Sequence, residues 1–261
     1  MEGLLEVEQL SSRFNLMLDK IRQLMKQIVI EQESKRKYEF ETLQAQINPH
    51  FLYNTLNAVV RMVGMSRNDE VITMITSLSK LFRISLSKGN TSIPVSEELE
   101  HARHYLTIQQ MRYKNKFKFM IEADEEALSC YTLKLVLQPL IENAIVHGIE
   151  YMVDEGEIRI RASVHGDQLM LEVADNGIGM SQQQLDSILS NRAAKTVSSG
   201  SGSGVAVRNV NDRIELYYGP QYGLAFDSEL EEGTTVRVAI PVVRSSGEGK
   251  TNGEQDYTVL S

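Results

Sequence analysis

The sequence predicts an α+β fold, in which a long N-terminal helix and a helical hairpin precede a sandwich of helices packed on a β-sheet. Helical periodicity dominates the first part of the chain, whereas the second part alternates strand-like segments with short helices. Composition fits two domains with cores of their own, because 42% of the 261 residues are hydrophobic and 24% are charged. The net charge of −8 argues against a protein dedicated to nucleic-acid binding.

Cysteine content and hydropathy limit the compartment and the chemistry. Cys130 is the single cysteine of the sequence, which excludes an intramolecular disulfide and a CxxC-type metal or redox site. The first ten residues carry acids where a signal peptide needs bases, and no apolar run reaches the roughly 20 residues of a membrane-spanning helix. From the residues alone we expect a soluble chain in a reducing compartment.

The first element is predicted to be one long helix, since no proline and no glycine other than Gly3 precedes Pro49. Its apolar residues repeat in alternating steps of four and three, a heptad seam that favours a partner helix in a dimeric coil. The phase of this pattern shifts beyond residue 30, so we assign residues 1–30 to a coiled coil. An amphipathic helix folded back on its own domain is the alternative. The seam residues are Leu10, Phe14, Met17, Ile21, Leu24 and Ile28.

Two amphipathic segments, residues 43–63 and 71–89, flank a short polar break and predict a helical hairpin. Paired across a dimer, two hairpins would form a four-helix bundle, and we assign residues 31–114 to this helical domain. Pro49 lies inside the first segment and should kink it next to His50. His50 is therefore a candidate functional residue, with a surface histidine beside an accidental kink as the alternative.

A change of composition near residue 115 marks the start of a second domain, which we assign to residues 115–243. Alternating polar and apolar residues predict strands at 116–123, 157–175 and 233–242, with two strands in the middle stretch. Apolar helical patterns predict helices at 132–148, 181–189 and 209–219. The polar tail, residues 244–261, has no apolar period and is expected to be disordered.

Three segments of the second domain carry residues suited to binding chemistry. Glu142 and Asn143 lie on a strongly apolar helix, where a buried amide needs a partner such as a metal ion with its water. Asp175 ends a strand in DNGIGM, where its carboxylate can accept a hydrogen bond from an exocyclic amine and the glycines admit a ligand to the backbone. The run SSGSGSG leads into a helix whose N-terminus favours an anion. Each segment alone also fits a plain helix end, a turn or a flexible linker.

In this order, the motifs resemble those of sensor histidine kinases of the LytS/YesM type. QINPHFLYNTLN is similar to the phosphoacceptor segment, ENAIVHG to the N box, DNGIGM to the G1 box, and GSGVAVRNVNDRIELYYG to the G2 box with its following helix. The resemblance extends from Gln44 to Val242. LEVEQLSSRFNLML also resembles the second helix of a HAMP signalling module, with Glu8 in place of the usual glycine.

The resemblance implies a protein-histidine kinase of a two-component system, with an α/β-sandwich ATP-binding domain of the GHKL (Bergerat) type. Such proteins use ATP and Mg²⁺, act as homodimers and pass a phosphoryl group to the receiver domain of a response regulator. Family members usually carry a sensor and membrane spans upstream. The resemblance therefore implies that this chain is the cytoplasmic portion of an integral membrane receptor.

The resemblance also assigns roles residue by residue. It makes His50 the phosphorylated residue, Asn143 the ligand of a Mg²⁺ that bridges the ATP phosphates, and Asp175 the group that contacts the adenine amine. Further candidate contacts to the nucleotide are His147, Gly177, Gly179, Gly202, Gly204, Arg192 and Lys195. The last two are cations of the expected lid, a position where cations are also commonly solvated.

Three positions bear on activity. Phe51 follows His50 where many family members have an acid, so Glu142 is a candidate base or orienting group. Asn54, four residues after His50 on the same helix face, is a candidate for positioning a water, or part of a polar stripe. Ala206 replaces the second glycine of the family's G2 box; we expect nucleotide binding to survive if Ala206 lies within the following helix.

Two other functional classes fit the same motifs. An ATP-driven dimer clamp of the same ATPase superfamily would carry a transducer domain where this sequence has a polar tail. A catalytically silent dimeric scaffold would have a vestigial nucleotide pocket. Intact Asn143, Asp175 and Gly177 argue against the scaffold, and Ala206 argues slightly for it.

Overall fold

The computed structural model describes residues 49–86, 91–181, 183–185 and 202–244, together with residues 13, 17, 20, 21 and 24–27. The chain forms two compact units, Met1–Tyr53 and Asn54–Ser261. In the first unit, the described members of the predicted seam are helical and about half exposed: Met17 at 51%, Ile21 at 45% and Leu24 at 49%. The predicted phase shift and the turn before Pro49 lie outside the described residues, so the coiled coil and the kink stay predictions.

A helical hairpin is present at the predicted place. Helix α1 spans Pro49–Gly64 and helix α2 spans Asn68–Ser85. Ala58, Met62 and Met74 form the buried core between them. The outward apolar side chains stay exposed on the single chain, among them Val60 at 70% and Ile72 at 64%. No described helix is both long and apolar enough to cross a membrane.

Helix α3, Val95–Arg112, connects the hairpin with the second half of the chain. It is buried along much of its length, and one of its contacts reaches the end of α2, where Ser85 Oγ lies 2.9 Å from His101 Nε2. Burial lowers the pKa of His101 to about 4, so the ring is neutral at pH 7. Helix α3 is therefore joined to α2 through a buried, uncharged hydrogen bond.

The second half contains a mixed five-stranded sheet. Its strands are β2 Phe117–Ala123, β4 Gly156–His165, β5 Gln168–Asp175, β6 Gly223–Glu229 and β7 Gly233–Pro241, in the spatial order β2-β4-β5-β7-β6. Strands β2 and β4 are parallel, and the other neighbours are antiparallel. The predicted strands are confirmed, whereas edge strand β6 was not predicted, because its three apolar residues are consecutive and none of its residues is buried.

One face of this sheet carries the apolar core and the other carries charge. Ile158, Ile160 and Leu171 point into the core, under the helices. On the opposite face, alternating charges run across neighbouring strands, with Arg161 to Glu122 and Arg237 to Glu172 both at 2.9 Å. This pattern agrees with the strict alternation of buried and exposed residues in β4.

The helices of the second half include α4 Glu125–Leu128, α5 Leu137–Asn143 and α6 Gly202–Tyr218. Residues 183–185, inside the predicted helix 181–189, are also helical. Helix α5 continues directly into a π-helical turn, Ala144–Ile149. The prediction of one helix over 132–148 was wrong at its start, because Tyr131–Leu133 is strand β3, paired with strand β1, Ser92–Pro94. A turn at residues 134–136, with Leu135 at φ 58°, separates this strand from α5. The domain is thus an α+β sandwich, as predicted.

Candidate functional site

The candidate phosphoacceptor lies near the start of the described part of helix α1. His50 is exposed and belongs to the compact unit Met1–Tyr53. Asn54 follows four residues later on the same helix and is half-buried. The remaining described candidates belong to the other unit, Asn54–Ser261.

Asn143 is the last residue of α5, at the point where the helix widens into the π-helical turn. Its side chain is half-buried and makes no hydrogen bond to another residue in the described part of the chain. His147 and Gly148 lie within the turn, which ends with the Glu150 amide donating to the Ile145 carbonyl at 2.9 Å. Because π-helical turns cost stability and occur often at functional sites, the turn marks this segment independently of its sequence motif.

Asp175 ends strand β5 beside this turn. Its Oδ1 accepts a hydrogen bond from the Gly177 amide at 2.9 Å, and burial raises the pKa of the carboxyl to about 6. A β-carbon on Gly148 would lie 2.6 Å from the same oxygen, and one on Gly177 would lie 2.6 Å from the Gly148 carbonyl carbon. We call Gly148, Asp175 and Gly177 the glycine cradle. Gly148 is the last residue of the segment ENAIVHG. Its role follows only from its contact with Asp175 and Gly177.

The loop after Asp175 is fixed by the turn between β6 and β7. Gly179 has φ +64°, and a β-carbon there would overlap the Glu229 carbonyl. The Glu231 amide donates to the Ile178 carbonyl at 2.8 Å, and the Met180 amide donates to Ser228 Oγ at 2.9 Å. Gly179 is therefore required by close packing of protein backbone, in addition to any contact with a ligand.

Glu142 takes part in a polar network between α3 and α5. Its Oε1 accepts hydrogen bonds from Tyr105 Oη at 3.0 Å and from Gln138 Nε2 at 3.1 Å. Gln109 Nε2 in turn donates to Tyr105 Oη at 2.5 Å. Burial is the main cause that raises the pKa of Tyr105, and the nearby Glu142 adds to it. The Glu142 carboxylate is thus held by Tyr105 of α3, a residue that belongs to none of the sequence motifs.

A second contact of α3 meets the other end of α5. Glu98 is fully buried, and its carboxylate accepts the amide hydrogens of Leu135, Val136 and Leu137 at 2.8–3.0 Å. Arg213 of α6 donates to the Lys134 carbonyl at 2.6 Å on the other side of the same turn. In the sequence, Glu98 is one of several acids near a helix start and has no distinguishing signal.

The glycine-rich motif forms the first turn of α6, which begins at Gly202 and includes Gly204. Ala206 lies inside this helix and not in the preceding loop. A helical conformation is open to alanine, so the departure from the family pattern needs no positive φ at this position. The lid candidates Arg192 and Lys195 lie outside the described residues.

The described residues fit a nucleotide with a magnesium ion. They contain no group of three or more His, Cys, Asp or Glu side chains able to hold a metal ion by themselves. Mg²⁺ commonly takes one or two protein oxygens and completes its shell with substrate phosphates and water. The side-chain oxygen of Asn143 is suited to such a site, and the glycine cradle presents a half-buried carboxylate suited to an amine.

Two family models match the chain. The model described as histidine kinase matches residues 38–117, and the model described as histidine kinase-, DNA gyrase B-, and HSP90-like ATPase matches residues 131–244. Together they include His50, Asn143, Asp175 and the start of α6.

Curated relatives align over most of this sequence. Sensor histidine kinase YesM of Bacillus subtilis is 36% identical over 236 residues, which is 90% of this chain and 39% of the relative. Sensor protein LytS of Bacillus cereus is 32% identical over 226 residues, 85% of this chain and 36% of the relative. The chain thus spans less than half the length of these relatives. A solved histidine kinase domain from Erythrobacter litoralis aligns with a TM-score of 0.43 and 19% identity, covering 77% of this chain and 92% of that one.

Proposed function

The chain belongs to the family of sensor histidine kinases, and from this premise we propose that it binds Mg-ATP and phosphorylates His50. The phosphoryl group then passes to an aspartate in the receiver domain of a response regulator. The observation that carries the proposal is the glycine cradle, where Gly148, from the π-helical turn that follows Asn143, meets the half-buried Asp175 carboxylate and Gly177.

The proposed domain order follows the sequence assignment. Residues 1–30 act as a HAMP-like signalling helix, residues 31–114 dimerise and carry the phosphoacceptor, residues 115–243 bind ATP, and residues 244–261 form a tail. The protein works as a homodimer on the cytoplasmic side of the membrane, as part of a longer receptor. Nucleic acid is not a partner in this proposal.

Each site residue has a defined task in nucleotide binding. The Asp175 carboxylate accepts a hydrogen bond from the adenine amine, and Gly177 and Gly179 keep the backbone close to the base. Asn143 provides an oxygen to Mg²⁺, which neutralises phosphate charge when bound. Amides at the start of α6, with Gly202 and Gly204, face the phosphates. His147, Arg192 and Lys195 complete the proposed contacts.

The transfer step uses a neutral imidazole nitrogen of His50 as the nucleophile. This nitrogen forms a bond to the γ-phosphorus while the bond from phosphorus to the bridging oxygen breaks, and ADP leaves with that electron pair. The ring proton passes to a base; since Phe51 follows His50, we assign this task, or the orientation of the ring, to Glu142. Asn54 is assigned to positioning a water that removes the phosphoryl group again. Phosphoryl transfer depends mainly on positioning and charge neutralisation, which these residues provide.

The test is incubation with γ-labelled ATP and Mg²⁺. We expect an acid-labile, base-stable label on the wild-type protein, no label in His50→Gln, and full label in the control His165→Gln, since His165 is an exposed residue at the end of β4. Transfer of the label to an added receiver domain would support the second step. ATP turnover without labelling would instead favour the dimer clamp, and neither turnover nor labelling would favour the silent scaffold.

A further inference from the structure

We propose that Glu98 is a positioning residue, which sets the place of Asn143 by fixing the backbone at the start of α5. The proposal rests on the proposed function, because it concerns the Mg²⁺-dependent part of nucleotide binding. The turn at residues 134–136 belongs to none of the sequence motifs, and the family resemblance assigns no role to its residues.

This turn has a backbone conformation that requires support. Leu135 adopts φ 58°, which is uncommon for a residue with a side chain. Lys134, Leu135 and Val136 are all buried, so their amide and carbonyl groups need partners other than bulk water. Elsewhere, such a turn commonly uses glycine.

Charged side chains satisfy the turn from two sides. Glu98 Oε2 accepts the Leu135 amide, and its Oε1 accepts the amides of Val136 and Leu137. Arg213 supplies the donors for the carbonyl side, to Lys134 at 2.6 Å and to Leu135 at 3.5 Å. Both oxygens of Glu98 act as acceptors, which is the pattern of a carboxylate and not of a neutral amide.

The fixed backbone leads straight into the nucleotide site. Helix α5 begins at Leu137 and ends at Asn143, so it is a short rigid rod between the Glu98 contact and the proposed metal ligand. The far end of the same rod is also tied to α3, since Tyr105 donates to Glu142. Helix α3 therefore holds α5 at both ends, and Arg213 joins α6 to the same turn. A shift of α3 moves Asn143 relative to Asp175, which ends β5, and to Gly177 in the loop that follows.

The experiment compares Glu98→Gln with Glu97→Gln, an exposed glutamate on the same helix. The substitution Glu98→Gln replaces one acceptor oxygen with an amide donor, so at least one of the three backbone amides loses its partner. We expect Glu98→Gln to stay folded and to bind Mg-ATP about tenfold more weakly, within the range of couplings between linked sites. Affinity for ATP in EDTA should change by less than about twofold, and Glu97→Gln should match wild type in both measurements.

Two readouts separate positioning from a general loss of stability. In the protein without nucleotide, the amides of Val136 and Leu137 should exchange hydrogen faster, and the side-chain amide resonances of Asn143 should move, in Glu98→Gln but not in Glu97→Gln. Unmoved Asn143 resonances, or equal losses of affinity with and without Mg²⁺, would overturn the proposal.

Failure of the proposed function gives a different result. If the wild type binds no nucleotide, the function is wrong, while the Asn143 resonances still decide whether Glu98 positions this residue. If Glu98→Gln does not fold, Arg213→Gln tests the carbonyl side of the same turn. A folded Arg213→Gln with wild-type Asn143 resonances would then contradict the proposal.

Discussion

Gly177 packs directly against Gly148, so that a β-carbon on Gly177 would lie 2.6 Å from the Gly148 carbonyl carbon. Real β-carbons almost never come that close to backbone, and neither segment can yield freely. The Gly148 segment is a π-helical turn, and the loop after Asp175 is hydrogen-bonded to the β6–β7 turn. The cradle is therefore closed by backbone contact from two separate motifs.

The first prediction concerns this contact. Gly177→Ala should separate the DNGIGM loop from the π-helical turn and lower ATP affinity by about tenfold or more, because a displacement of about 1 Å at a binding site can have effects of that size. Titration with a fluorescent ATP analogue measures this. Gly64→Ala is the control, since no atom lies within 4 Å of a β-carbon placed there. Wild-type affinity in Gly177→Ala would show that the cradle does not shape the site.

The second prediction is the pH dependence of nucleotide binding. Burial raises the pKa of Asp175 from 3.8 to about 6. The ionised carboxylate is the stronger acceptor for an adenine amine, so ATP affinity should rise as pH increases through 6. In Asp175→Asn this component should disappear, whereas the exposed control Asp167→Asn should keep it. An identical pH profile in wild type and Asp175→Asn would contradict the role of Asp175.

The raised pKa of Asp175 affects stability in the opposite direction to ATP affinity. The unfolded chain releases the Asp175 proton near pH 3.8 and the folded chain near pH 6, so the folded protein binds more protons between these values. Asp175 should therefore lower the free energy of unfolding as pH rises through this window. Chemical denaturation of wild type and Asp175→Asn across the window would measure the difference.

The third prediction concerns the network of Tyr105. Tyr105→Phe removes one donor to Glu142 and the acceptor of Gln109, and should lower the free energy of unfolding by about 1–3 kcal/mol. If Glu142 acts in transfer, the rate of His50 phosphorylation at saturating ATP should fall. The control is Tyr151→Phe, at a tyrosine that is 67% exposed. An unchanged rate with reduced stability would leave the Tyr105 network a purely structural feature.

The fourth prediction is dimerisation through the hairpin. Sedimentation at micromolar concentration should show a dimer, because Val60 and Ile72 are 70% and 64% exposed on the single chain. Val60→Glu should shift the protein towards monomer, since burying a charge in such an interface is costly. Leu216→Glu, at a residue of α6 that is 90% exposed, should remain dimeric. A wild-type monomer would contradict the four-helix bundle.

Local pattern was enough to predict most of the fold and the main candidates for the site. Amphipathic helical patterns marked α1 and α2, and alternating patterns marked β4 and β5, because burial follows those periods directly. The motifs named Asn143, Asp175 and Gly177 as site residues, and the structure shows contact between the segment Asp175–Gly177 and Gly148.

The features that were missed depend on contacts between distant residues. Glu98 is 37 to 39 residues from the amides that it accepts, and Tyr105 is 37 residues from Glu142. In the sequence, Glu98 resembles any acid near a helix start, and Tyr105 resembles any aromatic residue of a core. The sequence predicts helix at strand β3 for the same reason, because its three residues carry no strand pattern of their own and only pairing with β1 makes them a strand.

The Glu98 contact and nucleotide binding are coupled in both directions, and helix α3 extends this coupling from Glu98 to Ser85. Thermodynamic linkage requires that if the Glu98 contact strengthens nucleotide binding by some factor, then bound nucleotide strengthens that contact by the same factor. Occupancy of the ATP site would therefore affect helix α3. The buried hydrogen bond between His101 and Ser85 links this helix to the end of α2. The hairpin therefore responds to nucleotide binding and also carries His50.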